Sequence, residues 1–152
     1  MQEQEELTNE VDRTNQKLIT ILSRCLQNIH KKEGEWLHES NLTVRQFGVL
    51  EILYHNGPQK ISDITNLALS SGGNMTVVID NLEKQKLALR IDDPNDRRAK
   101  LVQLTKEGKA LIADLFPEYL MNLRIILETL SMSEKKQLIR LATKTIPMGS
   151  AI

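Results

Sequence analysis

The sequence predicts a mainly α-helical protein with one small β-hairpin. Apolar residues recur at three- and four-residue steps over residues 9–39 and again over 106–130, the pattern of amphipathic helices. Two β-capable runs, 87–91 and 100–104, flank a charged segment rich in turn-forming residues. The intervening part, from residue 43 to 84, carries caps and breakers at intervals that suit three shorter helices. The predicted order is four helices, a hairpin and two further helices.

The first two helices have the clearest boundaries. The apolar pattern predicts one helix over 9–39 despite Gly34 inside it. At 1.5 Å per residue this helix is about 45 Å long, and that length is more than the rest of a small monomer can cover. Thr43 and Gln46 have the spacing of a capping box at the start of the second helix. That helix is expected to end at Gly57-Pro58.

The next two helices are short and close together. Ser62 is the expected cap of the third helix, and the small and polar residues 69–74 end it and open a fourth. The inward positions of the fourth helix are Met75, Val78 or Ile79, and Leu82. Two short helices joined by a small-residue turn have the layout of a helix-turn-helix.

The C-terminal half contains the hairpin and two helices. Residues 92–98 are expected to form the polar tip of the hairpin. Thr105 is the expected cap of the fifth helix, in which Pro117 predicts a kink rather than an end. Ser133 is the expected cap of the last helix, whose inward positions are Leu138, Ile139, Leu141 and Ala142.

Composition limits the class of protein. The chain has 152 residues, 20 Lys+Arg against 20 Asp+Glu, and a single cysteine, so an internal disulfide is excluded. The N-terminal residues have neither the basic region nor the apolar run of a secretory signal, and charges interrupt every apolar stretch well before the ~20 residues that span a bilayer. We therefore expect a soluble, cytoplasmic protein without a membrane partner.

The net charge is zero, but the charged residues are unevenly distributed along the chain. Residues 1–12 hold five acidic residues and no basic one, whereas residues 84–109 hold eight basic and four acidic ones. A local basic segment suits contact with nucleic acid, but charge alone favours a solvated face of a helix or hairpin. Both interpretations remain open.

The helix-turn-helix and the hairpin together resemble the winged helix-turn-helix of MarR-family transcriptional regulators. The family pattern in the hairpin, or wing, is Asp-x-Arg, an aliphatic strand, Leu-Thr and a nearby glycine, and it fits Asp96, Arg98, Leu104, Thr105 and Gly108. Residues 42–47 and 71–84 also resemble the family's second and recognition helices. The resemblance covers essentially the whole chain.

The resemblance implies one MarR-like domain over 1–152. A winged helix-turn-helix DNA-binding lobe would occupy about 42–109, and a helical dimerisation region about 7–39 and 110–147. Its partner would be an inverted-repeat operator in double-stranded DNA, with half-sites about one helical turn apart.

The residues expected at the DNA lie on the recognition helix and the wing. Arg98 would enter the minor groove, with Asp96 fixing its orientation, while Asn74 suits an adenine contact. The alternatives are that Ser71 only caps the helix and that Thr76 faces solvent. The candidate DNA-binding residues are Ser71, Asn74, Thr76, Val77, Lys84, Arg97, Arg98 and Lys100.

The resemblance also implies a homodimer, and a repressor released by a small effector. The expected interface residues are Leu18, Leu22, Leu26, Leu123, Ile126 and Leu138. A small aromatic or phenolic effector would lie between the dimerisation helices and the DNA-binding lobe. Trp36, Phe47 and Tyr54 are the candidate walls of that pocket, or else only fill core.

Other functions have less support in the sequence. Cys25 is either a redox sensor or, as its place on the apolar stripe favours, a buried structural thiol. His30, His38 and His55 lack the tight spacing of a metal site, so we expect no metal and no cofactor. The glycine pair at 72–73 lacks the lysine of a phosphate-binding loop, and we expect no enzyme. A winged-helix protein-interaction module without DNA contacts remains an alternative.

Overall fold

The computed structural model describes residues 9–68 and 75–146 and has the expected mainly helical fold. The described elements are α1 (Glu10–Leu37), α2 (Val44–Asn56), β1 (Gln59–Lys60), α3 (Ile61–Leu67), α4 (Met75–Lys84), β2 (Ala88–Asp93), β3 (Asp96–Leu104), α5 (Lys106–Ile126) and α6 (Met132–Thr143). A single 3₁₀ turn, His38–Ser40, follows α1. No described helix combines the length and the apolar character needed to cross a membrane.

The core lies where the middle of the chain meets the start of α5. Leu50, Ile64, Ile79, Val102 and Ile112 are fully buried and come from α2, α3, α4, β3 and α5 respectively. Because each element contributes a side chain to one cluster, the helix-turn-helix, the hairpin and α5 pack together. This cluster holds α4 and the hairpin in fixed places.

The predicted boundaries of α2 are confirmed. The Gln46 N–H donates to Thr43 Oγ1 (3.2 Å), and the Thr43 N–H donates to Gln46 Oε1 (2.9 Å), which completes the capping box. The helix ends at Gly57, whose φ of +72° suits glycine and whose N–H donates to the Leu53 carbonyl.

Two predicted caps are wrong. Helix α3 begins at Ile61 directly after β1, so Ser62 lies inside its first turn, and the N-cap is Lys60 without a side-chain bond. Helix α6 is capped by Ser131, not Ser133. The Ser131 N–H donates to Glu134 Oε2 (2.8 Å) and Ser131 Oγ accepts the Glu134 N–H (3.3 Å), a capping box that Ser133 cannot form with that glutamate.

The hairpin is longer than predicted. The sheet order is β1-β3-β2 with antiparallel pairing, and Val102 lies between Gln59 on one side and Arg90 on the other. Both strands continue into the segment predicted as a loop, with an irregularity between Asp92 and Asp93. The tip is therefore a tight turn, and the two-residue strand β1 is too short for a sequence pattern to show.

The terminal helices bury almost nothing within one chain. Leu37 is the one buried residue of α1, which has 28 residues, and no residue of α6 is buried. The expectation that the apolar positions of α6 point inward is wrong for the single chain, and the cysteine expected to be buried, Cys25, is exposed. Helix α5 also ends at Ile126 rather than near 130.

Candidate nucleic-acid interface

Helix α4 has one buried and one exposed face. Met75, Ile79 and Leu82 lie in the core, while Val77 is 49% exposed and Lys84 is also exposed. Thr76 is exposed as well, whereas Ser71 and Asn74 lie outside the described residues. The predicted inward positions of this helix are confirmed, and its opposite face is open to a ligand.

One residue on the open face of α4 was missed by sequence reasoning. Asn81 is exposed and lies one helical turn after Val77 and just before Lys84, so the three form a stripe at i, i+4 and i+7. Its amide has the donor and acceptor pair that suits the edge of adenine. The four-residue spacing between Val77 and Asn81 is the sequence signal that places both on the same face of the helix.

The wing presents Arg98 to solvent. Asp96 Oδ1 accepts the backbone N–H of Arg98 (3.0 Å), so this carboxylate holds the main chain at the start of β3 rather than the guanidinium. Within the described residues, no ion pair involves Arg98, and its side chain is exposed. The guanidinium is therefore available to an external anion.

Asp93 anchors the wing turn, a role that sequence reasoning did not assign. Its residue exposure is 6%, its carboxylate accepts the Asn95 N–H (2.8 Å), and its Oδ2 lies 3.5 Å from Lys60 Nζ. The Asn95 N–H, with help from Lys60, lowers the pKa of Asp93. The Asp-Pro-Asn turn signal was present, but the ion pair to β1 is a contact between distant segments.

Lys100 is paired within the wing. Its Nζ lies 2.5 Å from Asp92 Oδ1, and both side chains are mostly exposed. Exposed pairs of this kind contribute little free energy, so Lys100 can exchange Asp92 for a phosphate. The side chain of Arg97 is outside the described part of the structure.

A close junction joins the wing to α5. Thr105 Oγ1 accepts the Gly108 N–H (2.9 Å) and donates to the Lys86 carbonyl (2.7 Å), while the Thr105 N–H donates to the Leu87 carbonyl (3.1 Å). A Cβ on Gly108 would lie 1.9 Å from the Leu87 carbonyl oxygen. The glycine therefore allows the backbones of α5 and the chain before β2 to touch.

Comparison with known proteins identifies this arrangement. The family model for the MarR family matches residues 42–100. The chain is 35% identical to the HTH-type transcriptional regulator MhqR of Bacillus subtilis, over 78% of this chain and 81% of the relative. It is 32% identical to YkoM of the same organism, over 89% and 87%. The chain belongs to the MarR family.

Solved structures of MarR-type proteins agree with this assignment. Bordetella bronchiseptica BpsR, whose DNA binding is described as regulated by 6-hydroxynicotinic acid, superposes with a TM-score of 0.76 at 27% identity, covering 85% of this chain and 98% of that one. A mutant of Escherichia coli MarR bound to operator DNA gives 0.79 at 21% identity, over 92% and 100%, and shows the shared fold. This MarR-family chain is thus a transcriptional regulator with a DNA-binding winged helix, and not an enzyme.

A second group of functional candidates in this MarR-family chain is aromatic. All five Phe, Trp and Tyr residues of the sequence lie in one cluster where α1, α2 and α5 meet. The ring centroids of Trp36 and Phe47 are 5.3 Å apart, and those of Phe47 and Tyr119 are 4.8 Å apart. Phe47 is a core residue, Trp36 is half-buried and donates to Glu118 (3.3 Å), and Tyr54 lies at the exposed edge. Of the three residues expected around an effector, Trp36 and Phe47 are thus direct neighbours, whereas Tyr54 is connected to them through Phe116 and Tyr119.

Two carboxyl groups adjoin this aromatic cluster. Burial raises the pKa of Glu33 and of Glu51, and the charge of Glu33 adds to the rise at Glu51. Burial, with the nearby charges of Glu51 and Glu33, raises the pKa of Tyr119 to about 12. The junction between the first, second and fifth helices of this MarR-family chain therefore disfavours negative charge.

Replacing Glu51 with glutamine is expected to stabilise the protein at neutral pH. The folded-state pKa of Glu51 is raised above its ordinary value of 4.5, so the folded state favours the protonated carboxyl group. The free energy that this proton contributes to stability is complete below pH 4.5 and is lost as the pH rises through the folded-state pKa. Thermal unfolding at pH 7 and pH 4 measures this: the Glu51→Gln variant should melt higher at pH 7, and the difference should shrink at pH 4. Glu128→Gln removes the same charge from an exposed position and serves as control. An unchanged or lower melting temperature at pH 7 would contradict the account.

Proposed function

We propose that this regulator is a homodimer that binds an inverted-repeat operator in double-stranded DNA and represses the adjoining genes until a small effector releases it. The proposal keeps the division into a DNA-binding lobe at about 42–109 and a dimerisation region at about 7–39 and 110–147. The observation that carries it is the uncovered apolar surface of the helices at the two ends of the chain.

The dimer accounts for apolar surface that the single chain leaves in water. Almost all of the exposed large apolar side chains of the described residues belong to α1, α5 and α6. So many exposed apolar side chains on three helices are unusual on a monomer and typical of an interface between subunits. The exposed apolar residues of these three helices are Val11, Leu18, Ile19, Ile21, Leu22, Leu26, Leu120, Met121, Ile125, Met132, Leu138, Ile139 and Leu141.

A second copy of the chain is the occupant that fits this surface. Helix α1 is about 42 Å long by its rise per residue, and only its last turns contact the remainder of the chain. Antiparallel or crossed packing of two such helices would cover both copies at once, as a two-fold interface requires. The predicted interface residues Leu18, Leu22, Leu26, Leu123, Ile126 and Leu138 all lie on the helices concerned, and Cys25 would be covered with them.

The DNA-binding lobe supplies both kinds of groove contact. The open face of α4, with Val77, Asn81 and Lys84, suits the major groove, and the exposed Arg98 on the wing suits the negative potential of the minor groove. Lys100 would contact phosphate and so position the protein without specifying sequence. Two lobes related by a two-fold axis would contact half-sites about one helical turn apart.

The effector would act at the aromatic cluster. BpsR, the similar regulator described above, has its DNA binding regulated by 6-hydroxynicotinic acid, a small aromatic acid. In this chain Trp36, Phe47 and Tyr54 belong to helices of both the dimerisation region and the DNA-binding lobe, so a ligand between them would change the spacing of the two lobes. Trp36 is the single tryptophan, and its fluorescence during titration with small aromatic and phenolic acids reports on binding there.

Placing a charge on the proposed interface is expected to dissociate the dimer. Leu26 is 57% exposed in the single chain, so the Leu26→Glu change leaves the fold of each chain intact but would bury an unpaired carboxylate in the dimer. Light scattering coupled to size exclusion should then show monomers at concentrations where the wild type is dimeric. Operator affinity should fall with it, because two half-sites are no longer bound together.

The neighbouring residue provides the matched control. Gln27 lies on the opposite side of α1 and is exposed, so Gln27→Glu adds the same charge away from the proposed interface. It should remain dimeric and keep its DNA affinity. A wild-type protein that is monomeric throughout, or a Leu26→Glu variant that stays dimeric, would overturn the assignment. A folded dimer without DNA affinity would favour the protein-interaction module.

A further inference from the structure

An arginine on the wing joins the recognition helix to the sheet. Arg90 lies on β2, and its side chain is 24% exposed. Its Nη2 lies 2.7 Å from Asp80 Oδ1, and its Nη1 contacts Glu83 Oε2. Glu83 also accepts the backbone N–H of Arg90 through Oε1 (2.9 Å). One guanidinium therefore holds two carboxylates of α4, and one of these carboxylates holds the β2 main chain.

The Arg90 contact lies where it can fix the angle between α4 and the wing. The chain leaves α4 through Lys86, which has a φ of +59°, and the Leu87 N–H donates to the Leu82 carbonyl (2.9 Å). Strand β2 begins immediately afterwards. The core side of this corner is packed by Leu82, whereas Arg90 spans its outer side and reaches back to residues seven and ten positions earlier. Apolar packing and ion pairs thus hold the corner from both sides.

The same contact changes the charge facing DNA. Asp80 and Glu83 are partly exposed on the recognition helix, where free carboxylates would repel phosphates. Arg90 offsets them, so it is not available as a phosphate contact, although the sequence places it in the basic segment 84–109. Compensation of charge and fixing of the angle are separable effects.

We propose that Arg90 is a positioning residue that sets the angle between α4 and the wing, and that it thereby determines how strongly the protein prefers its operator over other DNA. The inference rests on the proposed operator binding. A base contact on α4 and an arginine in the adjacent minor groove form together only when this angle matches the DNA. Phosphate contacts depend less on this angle, because every duplex offers phosphates along its whole length.

The test compares operator with unrelated duplex at fixed salt, after the operator has been selected with the wild-type protein. Arg90→Gln should lower operator affinity by about tenfold or more, the discrimination of one base contact. A charge-balanced variant, Arg90→Gln with Glu83→Gln, keeps the wild-type net charge while it removes one repelling carboxylate together with the clamp. It should bind unrelated duplex at least as tightly as Arg90→Gln does, but still lose operator preference.

Two further variants guard against a simple folding defect. Asp80→Asn removes one of the two ion pairs with almost no change of shape and should reduce operator preference with little change in melting temperature. Arg90→Lys keeps the charge but cannot hold both carboxylates with one planar group, and should give a partial loss. Wild-type operator affinity in the charge-balanced variant would overturn the positioning role and leave charge compensation alone. An equal loss on both DNAs from Arg90→Gln would also overturn it. A wild-type protein that selects no operator refutes the proposed function as well.

Discussion

Gly108→Ala is expected to destabilise the protein by about 3 kcal/mol, the upper end of the penalty for overpacking a core. The added Cβ would lie 1.9 Å from the Leu87 carbonyl oxygen and 2.8 Å from its carbonyl carbon, and main-chain atoms cannot rotate away as a side chain can. Relief requires α5 to move from the wing, which strains the bonds of Thr105 to Lys86 and Leu87. Denaturant unfolding followed by circular dichroism measures the change.

Gly34→Ala is the matched control for that prediction. Gly34 lies within α1, and apart from its chain neighbours and the adjacent helix backbone no atom lies within 4 Å of an added Cβ, so alanine there should stabilise the chain by about 0.5–1 kcal/mol through its higher helix propensity. The same chemical change should thus have opposite signs at the two positions. If Gly108→Ala were neutral, the close contact between α5 and the chain just before β2 would not exist in solution.

Arg98→Ala is expected to weaken operator binding by about 1–3 kcal/mol while leaving dimerisation and thermal stability unchanged. The side chain is exposed and forms no ion pair within the described residues, so the single chain loses nothing when it is removed. The loss should concentrate on the base pairs flanking the major-groove contacts, where the minor groove is narrow. Fluorescence anisotropy with operator and with mutated flanks measures this.

Lys100→Ala separates a groove contact from a phosphate contact. Lys100 lies two residues further along the wing and pairs with Asp92 in the free protein. Its removal should weaken binding to all DNA sequences alike and reduce the salt dependence of binding by the equivalent of roughly one phosphate contact. If Arg98→Ala behaved in this uniform way instead, Arg98 would be a phosphate contact and the minor-groove assignment would be wrong.

The sequence shows those features of the fold that depend on neighbours in the chain. The capping box of Thr43 and Gln46, the glycine stop at Gly57 and the cap at Thr105 involve residues three or four positions apart, and all are found. Ser131 was missed although its capping box was visible, because Ser133 is also a good cap and lies closer to the apolar stripe. Local rules of this kind identify the presence of an element more reliably than the residue at which it begins.

Contacts between distant segments were beyond the sequence patterns. The Arg90 contacts with α4 and the Lys60 contact with Asp93 join residues whose spacing has no fixed period, so nothing in the sequence distinguishes them from solvated charges. The apolar positions of α6 were visible, but whether they face the same chain or another depends on tertiary structure. The aromatic cluster likewise forms only when α5 brings Tyr119 to the α1–α2 junction.

Selection from a random pool of duplex DNA, at near-physiological salt and again at higher salt, tests the central claim most directly. A dimeric operator-binding regulator should enrich an inverted repeat whose half-site centres lie about one helical turn apart, and the enrichment should fall steeply as salt rises. Failure of the folded, dimeric and ligand-free protein to enrich any sequence would contradict the account.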